Sequence, residues 1–153
     1  MRQTVALLVV LVVAAVGCGG DSSGDRIAFT RRVSLEHEIF VMNADGTEER
    51  QVTNNDSSSE EGFPSWSPDG KQIAFTRYQD GDYEIFVMNA DGTEERQLTS
   101  KGSEKGFPSW SPDGKQIAFS SDRYGEDEIF VMNADGTNTY STGQEGIHPD
   151  FGG

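Results

Sequence analysis

The chain has 153 residues, and its 26 acidic against 12 basic side chains give a formal charge of −14. A surface with that charge repels nucleic acid and anionic membranes, which argues against a nucleic-acid-binding protein. The only cysteine excludes an intramolecular disulfide and the multi-cysteine zinc patterns.

The first 17 residues are predicted to be a signal peptide. Met1 and Arg2 provide positive charge, and Val5 to Val16 is a run of 12 apolar residues. A membrane-spanning helix needs about 20, so this run is typical of a cleaved export signal. An extracytoplasmic location in a bacterium is therefore expected, in the periplasm or at the cell surface.

The end of the signal and the residue after it resemble the lipobox of bacterial lipoproteins. Ala15-Val16-Gly17-Cys18 ends the apolar run, although Ala15 stands where that family usually has leucine. The resemblance implies that Cys18 is lipidated and becomes the mature amino terminus, so that the lipid is the only contact with the membrane. The alternative is an ordinary secretory signal that contains a cysteine. Residues 18–25 are rich in glycine, serine and aspartate and are predicted to be a flexible tether.

A sequence repeat fills residues 26–153. The decapeptide Glu-Ile-Phe-Val-Met-Asn-Ala-Asp-Gly-Thr begins at Glu38, Glu84 and Glu128, with spacings of 46 and 44 residues. A period of this length is typical of four-stranded propeller blades, which take about 40–45 residues. The repeats are predicted at about 26–62, 63–106 and 107–146, followed by a degenerate start of a fourth.

The middle repeat illustrates the four predicted strands. Residues 64–66 are an extended stretch, 72–77 a strand and 78–83 a polar connection. Residues 85–88 are an unbroken apolar run, as in a strand buried on both faces. A hairpin turn at 89–92 leads to a more polar outer strand at 93–99. The fold class is therefore all-β, a partial propeller of three four-stranded blades.

Two motifs carry a family resemblance. Trp-Ser-Pro-Asp-Gly-Lys-x-Ile-Ala-Phe, followed by the decapeptide, is similar to the WD40-like repeat of the TolB β-propeller family and covers Arg26 to about Thr139. The resemblance implies an extracytoplasmic protein-interaction scaffold without catalytic activity. Similar repeats precede the hydrolase domain of some peptidases, so a truncated propeller of a larger peptidase or hydrolase is an alternative, and a gene remnant is another.

The two ends of the repeat array are complementary. The first repeat begins at Ile27 and lacks the Phe-Pro-Ser-Trp strand, whereas residues 146–151 after the third repeat are a weak copy of it. Propellers typically have four to eight blades, so three repeats do not close a ring. If the chain is complete, a homodimer with six blades is the simplest closed assembly. A truncated reading frame would explain the same ends.

Candidate binding residues lie where the repeats differ, in the connections 31–37, 78–83 and 121–127, which similar blades place on one rim. The alternative is that these loops vary because nothing constrains them. The candidates are Arg31, Arg32, His37, Tyr78, Asp80, Asp82, Tyr83, Asp122, Arg123, Tyr124 and Asp127.

No catalytic, cofactor or metal site is predicted. The Gly-x-Ser-x-Gly pattern at 20–24 lies in the tether, without the strand and helix that a hydrolase nucleophile requires. Asp80, Asp82, Asp122 and Asp127 offer oxygen ligands for calcium but do not follow the EF-hand spacing. We expect these acidic connections to be solvated turns, and any partner to be another protein of the cell envelope.

Overall fold

The computed structural model describes residues 26–54 and 59–152, which form three antiparallel sheets and no helix. The signal peptide, Cys18 and the tether lie outside these residues. None of the described residues belongs to a helix long and apolar enough to cross a membrane. The all-β prediction is confirmed.

Each sheet is one blade. Blade 1 contains β1 (Arg26–Val33), β2 (Glu36–Asn43) and β3 (Arg50–Gln51). Blade 2 contains β4 (Glu60–Trp66), β5 (Gln72–Gln79), β6 (Asp82–Asn89) and β7 (Arg96–Gln97). Blade 3 contains β8 (Lys105–Trp110), β9 (Gln116–Ser121), β10 (Glu128–Asn133) and β11 (Tyr140–Glu145).

The strands of each blade follow one another in order from the inside to the outside of the array. Blades 2 and 3 have four strands, whereas the described residues give blade 1 three strands, without a counterpart of β4 and β8. The outer strand of blade 2 is shorter than the sequence predicts, because only Arg96 and Gln97 pair with β6.

Blades pack face to face through two kinds of sheet surface. We call the surface formed in blade 2 by Ile73, Phe75, Phe86 and Met88 the phenylalanine face, and the opposite surface the valine face. The phenylalanine face of blade 2 packs on Ile39 and Val41 of blade 1. The valine face, with Ala74, Ile85 and Val87, packs on the phenylalanine face of blade 3, which consists of Ile117, Phe119, Phe130 and Met132.

The prediction that the apolar run 85–88 is buried on both sides is confirmed. Ile85, Val87 and Met88 have no exposed surface, and Phe86 is 6% exposed. Side chains alternate across a strand, so neighbouring residues of the run enter the two different interblade cores. The strand is apolar throughout because both its faces are covered.

In every blade a glutamate accepts a hydrogen bond from a hydroxyl that lies in the outer strand or two residues after it. Glu38 accepts one from Thr53 at 2.5 Å, Glu84 accepts one from Thr99, and Glu128 accepts one from the hydroxyl of Ser141 at 2.6 Å. The first glutamate of the decapeptide therefore ties the doubly covered strand to the end of its blade, which explains why this residue begins each copy.

Candidate functional site

Two of the three connections predicted to carry the binding residues are shorter than expected, whereas the third, predicted at 121–127, lies between Ser121 and Glu128. Strands β5 and β6 continue to Gln79 and from Asp82, so that only Asp80 and Gly81 form the turn. In blade 1 the turn is likewise limited to Ser34 and Leu35. The predicted connections 31–37 and 78–83 are therefore wrong in extent. The sequence suggested loops because the ends of these strands are polar.

Several of the predicted binding residues are held by contacts within their own blade. Arg31 makes a two-pronged ion pair with Glu49 and lies over the rings of Phe29 and Phe40. The guanidinium carbon of Arg123 lies 4.2 Å from the ring centre of Phe130. These arginines cover the edges of the aromatic faces, and sequence alone did not indicate that role.

The other candidates differ in their surroundings. Arg32 lies on β1 opposite His37, Tyr78 packs on Tyr83 with ring centres 4.9 Å apart, and Tyr124 is 71% exposed. Three candidates line two cavities between the blades: His37 lines the first, Asp127 the second, and Tyr83 both. The structure therefore does not gather the eleven candidates into one site.

The four aspartates considered for calcium do not form a metal site. Asp80 pairs with Lys101 at 3.2 Å, and Asp122 accepts a hydrogen bond from the backbone amide of Glu104 at 2.8 Å. Within residues 26–54 and 59–152, no three His, Cys, Asp or Glu side chains form a group that could hold a metal ion.

Two cavities with equivalent linings lie between neighbouring blades. The first, of about 310 Å³, lies between blades 1 and 2, and the second, of about 300 Å³, lies between blades 2 and 3. They share Phe63, Thr76 and Tyr83 as a common wall. The repeat explains the likeness, because each cavity is built from the same positions of successive blades.

The rims of the cavities carry most of the polar groups. Glu60 and His37 border the first cavity, with His37 Nδ1 3.9 Å from Glu60 Oε2, and Glu104 and Asp127 border the second. Burial raises the pKa of Tyr83, and the negative charges of Glu60 and Glu104 raise it further. The pair of cavities thus combines an aromatic wall with a negative rim.

One position of the repeat is a glutamate at the base of the first cavity and a lysine at the base of the second. Glu61 in the first accepts a hydrogen bond from Arg77 Nε at 2.7 Å, whereas Lys105 in the second lies 3.1 Å from Glu84 Oε1. All four side chains are at most 5% exposed. The Glu61–Arg77 pair holds the inner strand β4 against β5 of its own blade, whereas the Lys105–Glu84 pair joins β8 of blade 3 to β6 of blade 2.

Three rings from successive inner-strand positions converge near the cavities. The centre of the Phe107 ring lies 4.3 Å from that of Phe63 and 3.7 Å from that of His148. Each of these residues precedes a proline and has a positive φ, between 53° and 56°. Such a backbone is uncommon for a bulky residue, and it interrupts the pairing of β4 and β8 with a bulge. Sequence reasoning missed Phe63 and Phe107 as cavity residues, although their recurrence before proline was visible.

The two tryptophans are packing residues. Trp110 is 7% exposed in the core between blades 2 and 3, and Trp66 packs against the core between blades 1 and 2. The guanidinium of Arg26 lies 4.5 Å from the centre of the Trp66 ring. Neither tryptophan therefore forms an open stacking platform.

Solved structures with a similar fold include two TolB proteins. A protein assigned as TolB from Agrobacterium tumefaciens is 28% identical, with a TM-score of 0.71, over 80% of this chain and 44% of that one. TolB from Acinetobacter baumannii is 27% identical, with a TM-score of 0.68, over 84% of this chain and 33% of that one. The chain thus spans less than half the length of these TolB chains.

A puromycin hydrolase structure shares the fold alone. It is 19% identical, with a TM-score of 0.55, over 71% of this chain and 19% of that one. The search of curated proteins found no match. A family model described as the TolB beta propeller domain matches residues 21–149, most of the chain, and the protein therefore belongs to the TolB β-propeller family.

Proposed function

We propose that the chain is an exported, lipid-anchored scaffold of the cell envelope that binds a protein partner and carries out no catalysis. The export signal and Cys18 support the location. The pair of equivalent cavities on adjacent blades supports the binding role, and it is the observation on which the proposal depends.

The shape of the two cavities favours an extended polypeptide segment as the ligand. Their common wall at Phe63 and Tyr83 lets one segment contact both cavities in succession. Side chains spaced along that segment would enter the two cavities in turn. Such a ligand would fill both equivalent cavities, whereas a compact small molecule would occupy one cavity only.

The charges of the rim favour basic side chains in that segment. Glu60, Glu104 and Asp127 are exposed around the cavities, and Phe63 presents a ring that is 53% exposed. A lysine or arginine there meets carboxylates and an aromatic face, and the aromatic face adds about 0.5–1 kcal/mol of attraction for a cation at an exposed site. The proposed ligand is therefore an extended segment with alternating basic and apolar residues.

A binding titration tests this proposal. The full chain in mild detergent is titrated into a fluorescent peptide of alternating lysine and leucine at physiological salt, with fluorescence anisotropy as the readout. We expect Glu104→Gln and Phe63→Ala each to weaken binding by about threefold to tenfold, or roughly 1 kcal/mol.

The control removes the same charge from a distant place. Glu94 lies in the exposed turn before the outer strand of blade 2, so Glu94→Gln is expected to change binding by less than about twofold, as an exposed and screened charge should. Equal weakening by Glu94→Gln and Glu104→Gln would show that the peptide responds only to the overall charge, and would contradict a site in the cavities.

A further inference from the structure

The two ends of the blade array carry the same pair of faces that pack together inside it. Blade 1 presents its phenylalanine face, formed by Ile27, Phe29, Phe40 and Met42, away from blade 2. Blade 3 presents its valine face, with Ala118, Ile129 and Val131, away from blade 2. Inside the chain these two kinds of face pack on each other twice.

Residues on the two terminal faces are more exposed than their equivalents inside the array. Ile27 is 41% exposed, whereas its equivalents Ile73 and Ile117 have no exposed surface. On blade 3, Val131 retains 7% exposure against none for Val87. The difference is largest on blade 1, where no described element covers Ile27.

The inner edge of blade 1 is open as well. Strand β1 pairs with β2 on one side and with no other strand of the described chain, whereas β5 and β9 each pair on both sides. An open strand edge presents unpaired backbone groups that another chain can pair with.

A segment suited to that edge lies at the other end of the array. The segment Ile147 to Phe151 passes beside β8. There Ser109 Oγ donates to Asp150 Oδ1 at 3.2 Å, and the His148 ring packs against the Phe107 ring at an angle of 58°. The φ of His148 is 55°, close to the 53° of Phe63 and the 56° of Phe107 on the inner strands. His148 therefore has the φ that Phe63 and Phe107 have at the same position before a proline, and within the described residues the segment pairs with no strand.

We propose that two copies of this chain associate head to tail into a six-bladed ring, in which Ile147–Phe151 of each copy becomes the inner strand of blade 1 of the other. The valine face of blade 3 then covers the phenylalanine face of the partner copy's blade 1. A two-fold arrangement satisfies both open ends at once and ends the growth of the array.

The internal repeats define the register of the new strand pair. Ser65 lies opposite Ala74 and Ser109 lies opposite Ala118, while Trp66 and Trp110 lie opposite Ile73 and Ile117. By the same register, Asp150 lies opposite Ala28 of the second copy and Phe151 opposite Ile27. Phe151 would thus take the place of the tryptophan.

One difference makes the junction between copies weaker than the internal ones. Arg50 and Arg96 donate hydrogen bonds to the backbone carbonyls of Ala90 and Ala134 on the next blade, whereas blade 3 has Tyr140 at that position. The junction between copies therefore lacks this hydrogen bond, and we expect an equilibrium between monomer and dimer at micromolar concentration.

Light scattering on the full chain in mild detergent, with the detergent mass subtracted, provides the first test. We expect a dimer that dissociates on dilution. Ile27→Glu should give a monomer at all concentrations, because it places a charge in the junction. Tyr140→Arg should shift dissociation to lower concentration, because it restores the hydrogen bond to the backbone of Ala44 on the second copy.

Leu35→Glu is the matched control for Ile27→Glu. Leu35 is 79% exposed at the tip of the hairpin, and a Cβ added at the equivalent Gly81 would meet no atom within 4 Å. This variant should remain a dimer. Association through the apolar amino-terminal run would be insensitive to Ile27→Glu, and that result, or a wild-type monomer throughout, would overturn the proposal. A series of masses above the dimer would overturn the closed ring.

Disulfide trapping tests the register independently of affinity. In a Cys18→Ser background, a chain with Ala28→Cys is mixed with a chain with Asp150→Cys and oxidised. We expect a mixed disulfide dimer for this pair and none when Arg32→Cys replaces Ala28→Cys, since Arg32 lies four residues farther along β1. No trapped dimer, or equal trapping at both positions, would contradict the strand exchange.

Discussion

Phe107 of the third blade and His148, which follows that blade, have the same backbone conformation and are in contact. Their ring centres lie 3.7 Å apart, and their φ angles are 56° and 55°. The next residue is proline in both cases, which removes a backbone donor where the strand bulges. The equivalence shows that His148 keeps the conformation of the repeat, although the sequence around it has diverged.

The double burial of strand β6 predicts a severe effect of charge. Val87 has no exposed surface and lies in the core between blades 2 and 3. We expect Val87→Asp to prevent cooperative folding, because an unpaired buried charge costs several kcal/mol, comparable with a total stability of about 5–15 kcal/mol. Urea unfolding followed by circular dichroism measures the effect. Glu94→Ala, at an exposed turn, should change the stability by less than about 0.5 kcal/mol, and similar losses for the two variants would contradict the assigned burial.

Substitution of two equivalent glycines tests whether the outer segment of one blade packs on the hairpin turn of the next blade. Gly92 and Gly46 occupy equivalent turns with φ of 89° and 82°, but a Cβ at Gly92 would lie 2.3 Å from the Val52 carbonyl oxygen, whereas one at Gly46 would meet nothing within 4 Å. We expect Gly46→Ala to cost about 1 kcal/mol for its backbone conformation alone. Gly92→Ala should cost clearly more in urea unfolding under dilute conditions, and equal costs would mean that the blades are not in contact there.

The buried ion pair between Lys105 and Glu84 predicts non-additive energies. Lys105 Nζ also donates to the backbone carbonyls of Ser100 and Ser103 at 2.7 and 2.6 Å. Lys105→Met leaves the Glu84 carboxylate buried without its cation, and we expect a loss of about 3–5 kcal/mol. Adding Glu84→Gln should recover part of that loss in a double-mutant cycle. Simple additivity of the two single substitutions would show that the pair is not coupled.

Acid should weaken the hairpin turns of all three repeats. Hydrogen bonds from the hydroxyl and backbone amide of Thr93 lower the pKa of Asp91, and Asp45 and Asp135 are held in the same way. A lowered pKa contributes stability that is present above the ordinary value of about 3.9 and is lost as the pH falls through the folded-state value. We expect Asp91→Asn to reduce the loss of stability between about pH 5 and pH 2. Glu94→Gln makes the same charge change three residues away, and an identical pH profile for both variants would contradict a specific role of Asp91.

Mass spectrometry of membrane fractions tests the lipid anchor. We expect a mature chain that begins at Cys18 and carries several acyl chains, since a single chain gives only marginal membrane binding. Cys18→Ser should release the protein from the membrane fraction if export still occurs. A soluble mature protein with an unmodified thiol would contradict the lipobox assignment.

Sequence alone was sufficient for the repeat and for its doubly covered strand. The decapeptide recurs without change, and its apolar residues 85–88 indicated burial on both faces, which the cores on either side of β6 confirm. Local patterns succeed here because strand burial depends on which residues alternate along a few positions. They failed for residues 78–83, where paired polar residues at the strand ends were interpreted as a loop.

The cavities and the arrangement of the blades depend on tertiary structure. Phe63 and Glu104 are 41 residues apart in the sequence but border one cavity, because the blades bring equivalent positions of successive repeats together. Repetition in the sequence determined what each blade is made of and which residues it would bury. Only the packing of blade on blade decided which side chains meet in the cavities and which faces stay open at the ends, because those contacts join residues that no local pattern relates.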